Sequence, residues 1–81
     1  MSATIKWQPV EGKSLSIGAP SSFMEALERH FGNRPWVFSD HQHGEMRAFG
    51  AGLDDKEMRE AMELLAEAAY EHGEIRVWPE Y

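Results

Sequence analysis

The chain has 81 residues, a net charge of −6 and no cysteine. This length predicts one domain, residues 1–81, and the lack of cysteine excludes a disulfide framework or a thiolate zinc site. The N-terminus has no basic segment followed by an apolar run, and no apolar stretch approaches the roughly 20 residues needed to span a bilayer. The composition therefore predicts a small soluble protein of the cytoplasm.

The negative charge is concentrated in the last third of the chain. Residues 1–53 hold five acids and five bases, whereas residues 54–81 hold nine acids and three bases. A phosphate-rich strand would be repelled by that end, and a basic surface would be attracted to it. The charge distribution therefore predicts a protein partner with a basic surface and no direct contact with nucleic acid.

The first part of the chain predicts two strands and a helix. Residues 4–8 and 13–17 alternate apolar and polar side chains, as strands do. In the helix that follows, Ser22 and Glu25 have the spacing of a capping box, and Gly32 is the expected stop. One apolar stripe along this helix consists of Phe23, Met24, Leu27 and Phe31.

The stretch SDHQHGE, residues 39–45, is predicted to be the tip of a β-hairpin between the strands RPWVFSD and EMRAFGA. A two-residue turn at His43 and Gly44 would place Phe38 opposite Phe49, and aromatic cross-strand pairs stabilise a hairpin. The region is therefore expected to contribute two antiparallel strands.

The same stretch admits a second interpretation, a metal-dependent enzyme. On a continuous strand His41, His43 and Glu45 would point to one side, and two imidazoles with a carboxylate form a plausible metal set. Gly44 within a polar run favours the turn instead. Because no nucleophile motif is present either, the expectation is no enzyme, no metal and no cofactor.

A second helix over residues 54–72 is predicted by its regular pattern. Asp54 is the expected N-cap with Glu57 at the third helical position, and Gly73 is the expected stop. The strand EIRVW follows directly. The inner face of this helix is predicted to be the stripe Met58, Ala61, Met62, Leu65 and Ala69.

The predicted order β-β-α-β-β-α-β indicates an α+β fold. Its last six elements match a ferredoxin-like β-α-β-β-α-β core, to which one N-terminal strand is added. The expected architecture is a two-layer sandwich with a mainly antiparallel sheet and two helices on one face.

The outer face of the second helix is expected to present a row of carboxylates, called here the carboxylate row: Glu60, Glu63, Glu67 and Glu71. At a rise of about 1.5 Å per residue, neighbouring members lie about 4.5–6 Å apart along the axis. Two interpretations are open. The row either keeps the protein soluble or binds a groove lined by lysine and arginine.

An alternative function is RNA or single-stranded DNA binding by an open sheet face. Trp36, Phe38 and Phe49 would then form a stacking platform, as in RNA-recognition modules. The same aromatics would instead fill the core of so small a domain, and the basic residues that would hold a nucleic-acid backbone are missing.

Size, acidity and the carboxylate row together resemble small phage-encoded inhibitors, anti-CRISPR proteins among them, and small immunity proteins share this profile. The resemblance implies a non-enzymatic inhibitor that occludes a basic, nucleic-acid-binding surface of a partner such as a CRISPR effector complex. The leading hypothesis is such a binding module, a monomer or weak homodimer. The helix would supply the charge, and Trp78 or Tyr81 an anchoring aromatic ring.

Overall fold

The computed structural model describes residues 2–80, with side-chain surroundings from Thr4 onward. The elements along the chain are β1 (Ser2–Pro9), β2 (Leu15–Pro20), α1 (Ser21–Phe31), β3 (Trp36–Ser39), a 3₁₀ turn (Asp40–Gln42), α2 (His43–Ala51), α3 (Lys56–His72) and β4 (Glu74–Glu80). None of the helices within this described range is long and apolar enough to cross a membrane.

The four strands of the described range form one antiparallel sheet in the order β2-β1-β4-β3. Because side chains alternate along a strand, one face collects the apolar residues and packs against the helices. The buried residues of that face include Ile5, Trp7, Trp36, Phe38, Ile75 and Val77. The α+β class and the antiparallel sheet are thus confirmed, whereas the ferredoxin-like order is not.

The predicted hairpin strand EMRAFGA is wrong, since these residues belong to helix α2. Glu, Met, Arg and Ala are good helix formers, and the buried Met46 and Gly50 have the four-residue spacing of a helix face. The preceding turn is held by Gln42, whose side-chain oxygen accepts a hydrogen bond of 2.9 Å from the backbone N–H of Ser39. The chain therefore turns into a helical segment instead of doubling back as a strand.

The predicted pairing of Phe38 with Phe49 is consequently wrong as well. Across the sheet Phe38 pairs with Ile75 of β4, and Phe49 lies half-buried on α2. Both rings nevertheless contact Phe31, with centroid distances of 5.0 Å to Phe38 and 5.2 Å to Phe49, each edge to face. The aromatic cluster joins α1, β3 and α2 without a hairpin.

Helix α1 begins one residue before the predicted cap. Its N-cap is Pro20, with no side-chain cap, so the capping box of Ser22 and Glu25 does not form. The Ser22 hydroxyl instead donates a hydrogen bond of 3.6 Å to the sulfur of Met58 on α3. The predicted stop is confirmed, because Gly32 has φ 92°, a conformation that favours glycine.

Helix α3 is close to its prediction. Its N-cap is Asp55 and not Asp54, and the Asp55 carboxylate accepts a hydrogen bond of 3.1 Å from the backbone N–H of Met58. Gly73 ends the helix with φ 83°. The predicted inner stripe is confirmed, since all its members are buried: Met58, Ala61, Met62, Leu65 and Ala69.

Helices α2 and α3 approach each other closely at Gly50. A Cβ atom at that position would lie 3.0 Å from both Cβ and Cγ of Met62. Such contacts are tighter than van der Waals packing allows without movement, so the glycine lets α2 lie directly on α3. This seating places the N-terminal turn of α2 beside the outer face of α3.

Candidate protein-binding surface

All four members of the carboxylate row are exposed on the side of α3 that faces away from the sheet: Glu60, Glu63, Glu67 and Glu71. The buried stripe occupies the opposite side of the same helix. The amphipathic division of α3 therefore brings the four predicted carboxylates together on one solvent-facing surface.

Two large apolar side chains flank these carboxylates, one on each side of the row. Leu64 is 41% exposed and Tyr70 is 64% exposed. Tyrosine is enriched at protein interfaces, and exposed aliphatic side chains can add apolar contact there. We call the set Glu60, Glu63, Leu64, Glu67, Tyr70 and Glu71 the α3 face. The sequence reasoning missed Leu64 and Tyr70, although both fall on the outer side of the helical pattern.

Glu67 is the member of the row that contacts helix α2. One of its carboxylate oxygens lies 3.1 Å from Nε2 of His43 and 3.1 Å from a guanidinium nitrogen of Arg47, both on α2. The hydrogen bond from His43, with the positive charges of His43 and Arg47, lowers the pKa of Glu67 below its ordinary value. The His43 ring also packs on Tyr70, at a centroid distance of 4.8 Å.

Loss of the His43 contact should be visible in the titration of Glu67. In the variant His43→Ala, the pKa of Glu67 should rise toward its ordinary value, because the largest cause of the lowering is removed. The measurement is the pH dependence of the Glu67 carboxyl ¹³C shift. His41→Ala is a matched control, since the His41 side chain is 93% exposed and its nearest acidic partner is Asp40. An unchanged Glu67 titration in His43→Ala would contradict the assigned contact.

The same contact makes the stability of the fold depend on pH in a defined direction. Because the pKa of Glu67 is lowered on folding, the ionised carboxylate adds stability above the ordinary pKa of a glutamate. That contribution is lost as the pH falls through the lowered pKa. The attachment of α2 to the α3 face is therefore weakened by acid.

The other carboxylates of the row have fewer ion-pair partners in the described range. Glu60 lies 3.8 Å from Lys56 one turn earlier, an exposed pair of small energetic value. Glu63 and Glu71 make no ion pair with any residue in the described range. A groove between α2 and α3 brings Arg47 and Arg59 beside Glu63, so the α2 side of the row is partly neutralised. The side away from α2 is the more strongly acidic.

Trp78 does not lie on the α3 face. It is half-buried on β4 and points away from the helices, since its neighbours Val77 and Pro79 point into the core. The sheet therefore separates Trp78 from the carboxylate row. Tyr81, the other predicted anchor, lies outside the described residues.

The predicted metal ligands His41, His43 and Glu45 do not come together. His43 contacts Glu67, whereas Glu45 lies 3.5 Å from Nε2 of His30 on α1. His41 extends into solvent. Within the described range, no group of three or more His, Cys, Asp or Glu side chains is arranged to hold a metal ion.

The predicted stacking platform does not form either. Trp36 and Phe38 are 2% and 1% exposed, in the core between sheet and helices. The indole N–H of Trp36 donates a hydrogen bond of 2.8 Å to the carbonyl oxygen of Gly32. Phe49 is half-buried against His30, with a centroid distance of 4.6 Å. Trp36 and Phe38 therefore present no face on which a base could stack, and the three rings do not form one platform.

Comparison with protein-family models, with curated proteins and with solved structures finds no match for this chain.

Proposed function

We propose that the chain is a non-enzymatic protein-binding module that uses the α3 face to occlude a basic surface of a partner protein. Acting in the cytoplasm as a monomer or weak homodimer, it would compete with the acidic ligand that the partner normally binds. A nucleic-acid-binding surface, such as that of a CRISPR effector complex, is the first partner to test.

The observation that carries the proposal is the composition of the α3 face. Leu64 and Tyr70 are exposed on either side of four carboxylates, although a face that served only solubility has no need of large apolar groups there. Apolar side chains supply binding energy once water is excluded, and the carboxylates between them select a basic partner. The arrangement is a central row of carboxylates with one exposed apolar side chain on each side, Tyr70 next to α2 and Leu64 on the side away from it.

The contact between α2 and α3 supports the proposal, because one member of the row, Glu67, is paired with two cationic side chains. His43 and Arg47 both reach one oxygen of Glu67, with contacts of 3.1 Å. A partner groove lined by lysine and arginine would offer the same chemistry to Glu63 and Glu71, which make no such pairs in the described range. Electrostatic attraction of this kind also accelerates association.

Binding through the α3 face should depend strongly on salt. The partner is captured from a bacterial lysate that contains a CRISPR effector complex, identified by mass spectrometry and purified. Its affinity is then measured at ionic strengths of about 0.15 M and about 1 M, between which the screening length falls from about 8 Å to about 3 Å. We expect a loss of affinity of several-fold or more at high salt. Equal affinity at both ionic strengths would contradict the proposal.

A further inference from the structure

The face of the sheet opposite the helices carries a second candidate surface. Along β4, Ile75 and Val77 point into the core, so Arg76 and Trp78 point to the open side. Arg76 is exposed, and in the register of the sheet it lies between Gln8 of β1 and Val37 of β3. Arg76 is therefore near the middle of the open face.

Two depressions meet at Arg76. One, of about 480 Å³, extends over Trp78 toward Pro35. The other, of about 230 Å³, extends toward Val10 and Val37, which are 68% and 50% exposed. We call the pair the open-face groove. It has an apolar region on each side and a guanidinium group between them.

Among the described residues that line this groove, Arg76 is the cation that is available to a ligand. It makes no ion pair or side-chain hydrogen bond with any residue in the described range. By contrast, Nζ of Lys6 lies 3.1 Å from Glu80, and Arg34 is paired with Glu28. The groove thus matches a single negative charge.

That charge count favours a peptide over a nucleic acid. A nucleic-acid strand gains its affinity from several phosphate contacts at once, and one unpaired arginine beside Glu74 does not supply them. A carboxylate is matched in shape as well as in charge, because the guanidinium fork binds both of its oxygens. Apolar side chains next to that carboxylate would cover Trp78 on one side and Val37 on the other.

We propose that the open-face groove binds an extended peptide segment of a partner protein in which an acidic residue is flanked by apolar residues. Its carboxylate pairs with Arg76, and its apolar side chains cover Trp78 with Pro35 and Val10 with Val37. The sheet lies between this groove and the α3 face, so the inference is independent of the function proposed above.

Tryptophan fluorescence tests the groove directly. Trp7 and Trp36 are buried, so a ligand in the groove changes mainly the emission of Trp78. The probe is the acetylated peptide amide Ala-Val-Asp-Leu-Ala, compared with the same peptide carrying asparagine in place of aspartate. We expect saturable binding of the aspartate peptide and an affinity at least about tenfold lower for the asparagine peptide, because a charge-assisted hydrogen bond is lost.

A pair of arginine variants localises the binding. Arg76→Gln should lower the affinity for the aspartate peptide at least about tenfold. Arg29→Gln makes an equal charge change at an exposed position on α1 and should leave that affinity unchanged. Circular dichroism checks that each variant is folded. Arg76→Lys keeps the charge but loses the fork, and it replaces Arg76→Gln should the latter fail to fold. An intermediate loss of affinity is expected for it.

Three results would overturn the inference. The first is equal affinity for the aspartate and asparagine peptides, or no saturation. The second is tighter binding of an oligothymidylate of about eight nucleotides, the length of an ordinary single-strand site, than of the peptide. The third is a Trp78 emission that changes with protein concentration alone, which would assign the groove to a second copy of the chain.

Discussion

Replacing Leu65 with alanine is expected to lower the free energy of unfolding by about 2–5 kcal/mol. Leu65 is fully buried on the inner side of α3, where the helix meets the sheet. The truncated side chain leaves a cavity that the surrounding core closes only in part. Since domains of this kind have a total stability of about 5–15 kcal/mol, the loss would be a large share of it.

The neighbouring residue provides a matched control. Leu64→Ala makes the same chemical change one position earlier in the same helix, but Leu64 is 41% exposed. Its cost should be well below that of Leu65→Ala, because less apolar surface is removed from the interior. Urea denaturation followed by circular dichroism compares the two variants. Equal losses of stability would mean that the inner face of α3 is assigned wrongly.

Reversing two charges on the α3 face is expected to weaken partner binding by well over about tenfold, since like charges facing across an interface cost several kcal/mol. The variant is Glu63→Lys with Glu71→Lys. Both positions are exposed and unpaired in the described range, so the fold should be retained. Glu67 is unsuitable, because a substitution there would remove the direct contacts with His43 and Arg47 that attach α2.

The control for this experiment changes the net charge by the same amount at another place. Glu11→Lys with Glu25→Lys alters two exposed glutamates outside the α3 face. Binding should fall much less in this variant, because its charges do not lie in the contact. Affinities of both variants for the captured partner are measured at one ionic strength. An equal loss would mean that overall charge, and not the α3 face, governs binding.

The elements predicted correctly are those whose signals are local. Helix α3 has a regular apolar stripe, and Gly32 and Gly73 follow α1 and α3 at the positions where helices end. The strands at both ends of the chain alternate clearly between apolar and polar residues. These patterns need no knowledge of the rest of the fold, because the period alone distinguishes helix from strand.

Helix α2 was missed because its sequence satisfies two patterns. EMRAFGA alternates well enough for a strand, yet Met46, Phe49 and Gly50 also have helical spacing. The deciding signal was available just before it. Ser39 is followed three residues later by Gln42, the spacing of a capping box, and the Gln42 side chain does accept the Ser39 N–H. That pair favours a helical turn over a hairpin.

The candidate site was predictable only in part. The row on α3 follows from helical periodicity, and the outward direction of Trp78 follows from the alternation of EIRVW, which the sequence reasoning did not apply. The pairing of Glu67 with His43, 24 residues away along the chain, was not predictable. It depends on how α2 lies across α3, which is a property of tertiary packing.

The close approach at Gly50 limits how this sequence can vary. With Met62 in place, a β-branched or longer side chain at position 50 would have to push α2 away from α3, because even its Cβ would lie 3.0 Å from Met62. A compensating change to a smaller residue at position 62 would restore the space between α2 and α3 that the larger side chain needs. Among sequence variants that keep this fold, positions 50 and 62 should therefore change together, small opposite large.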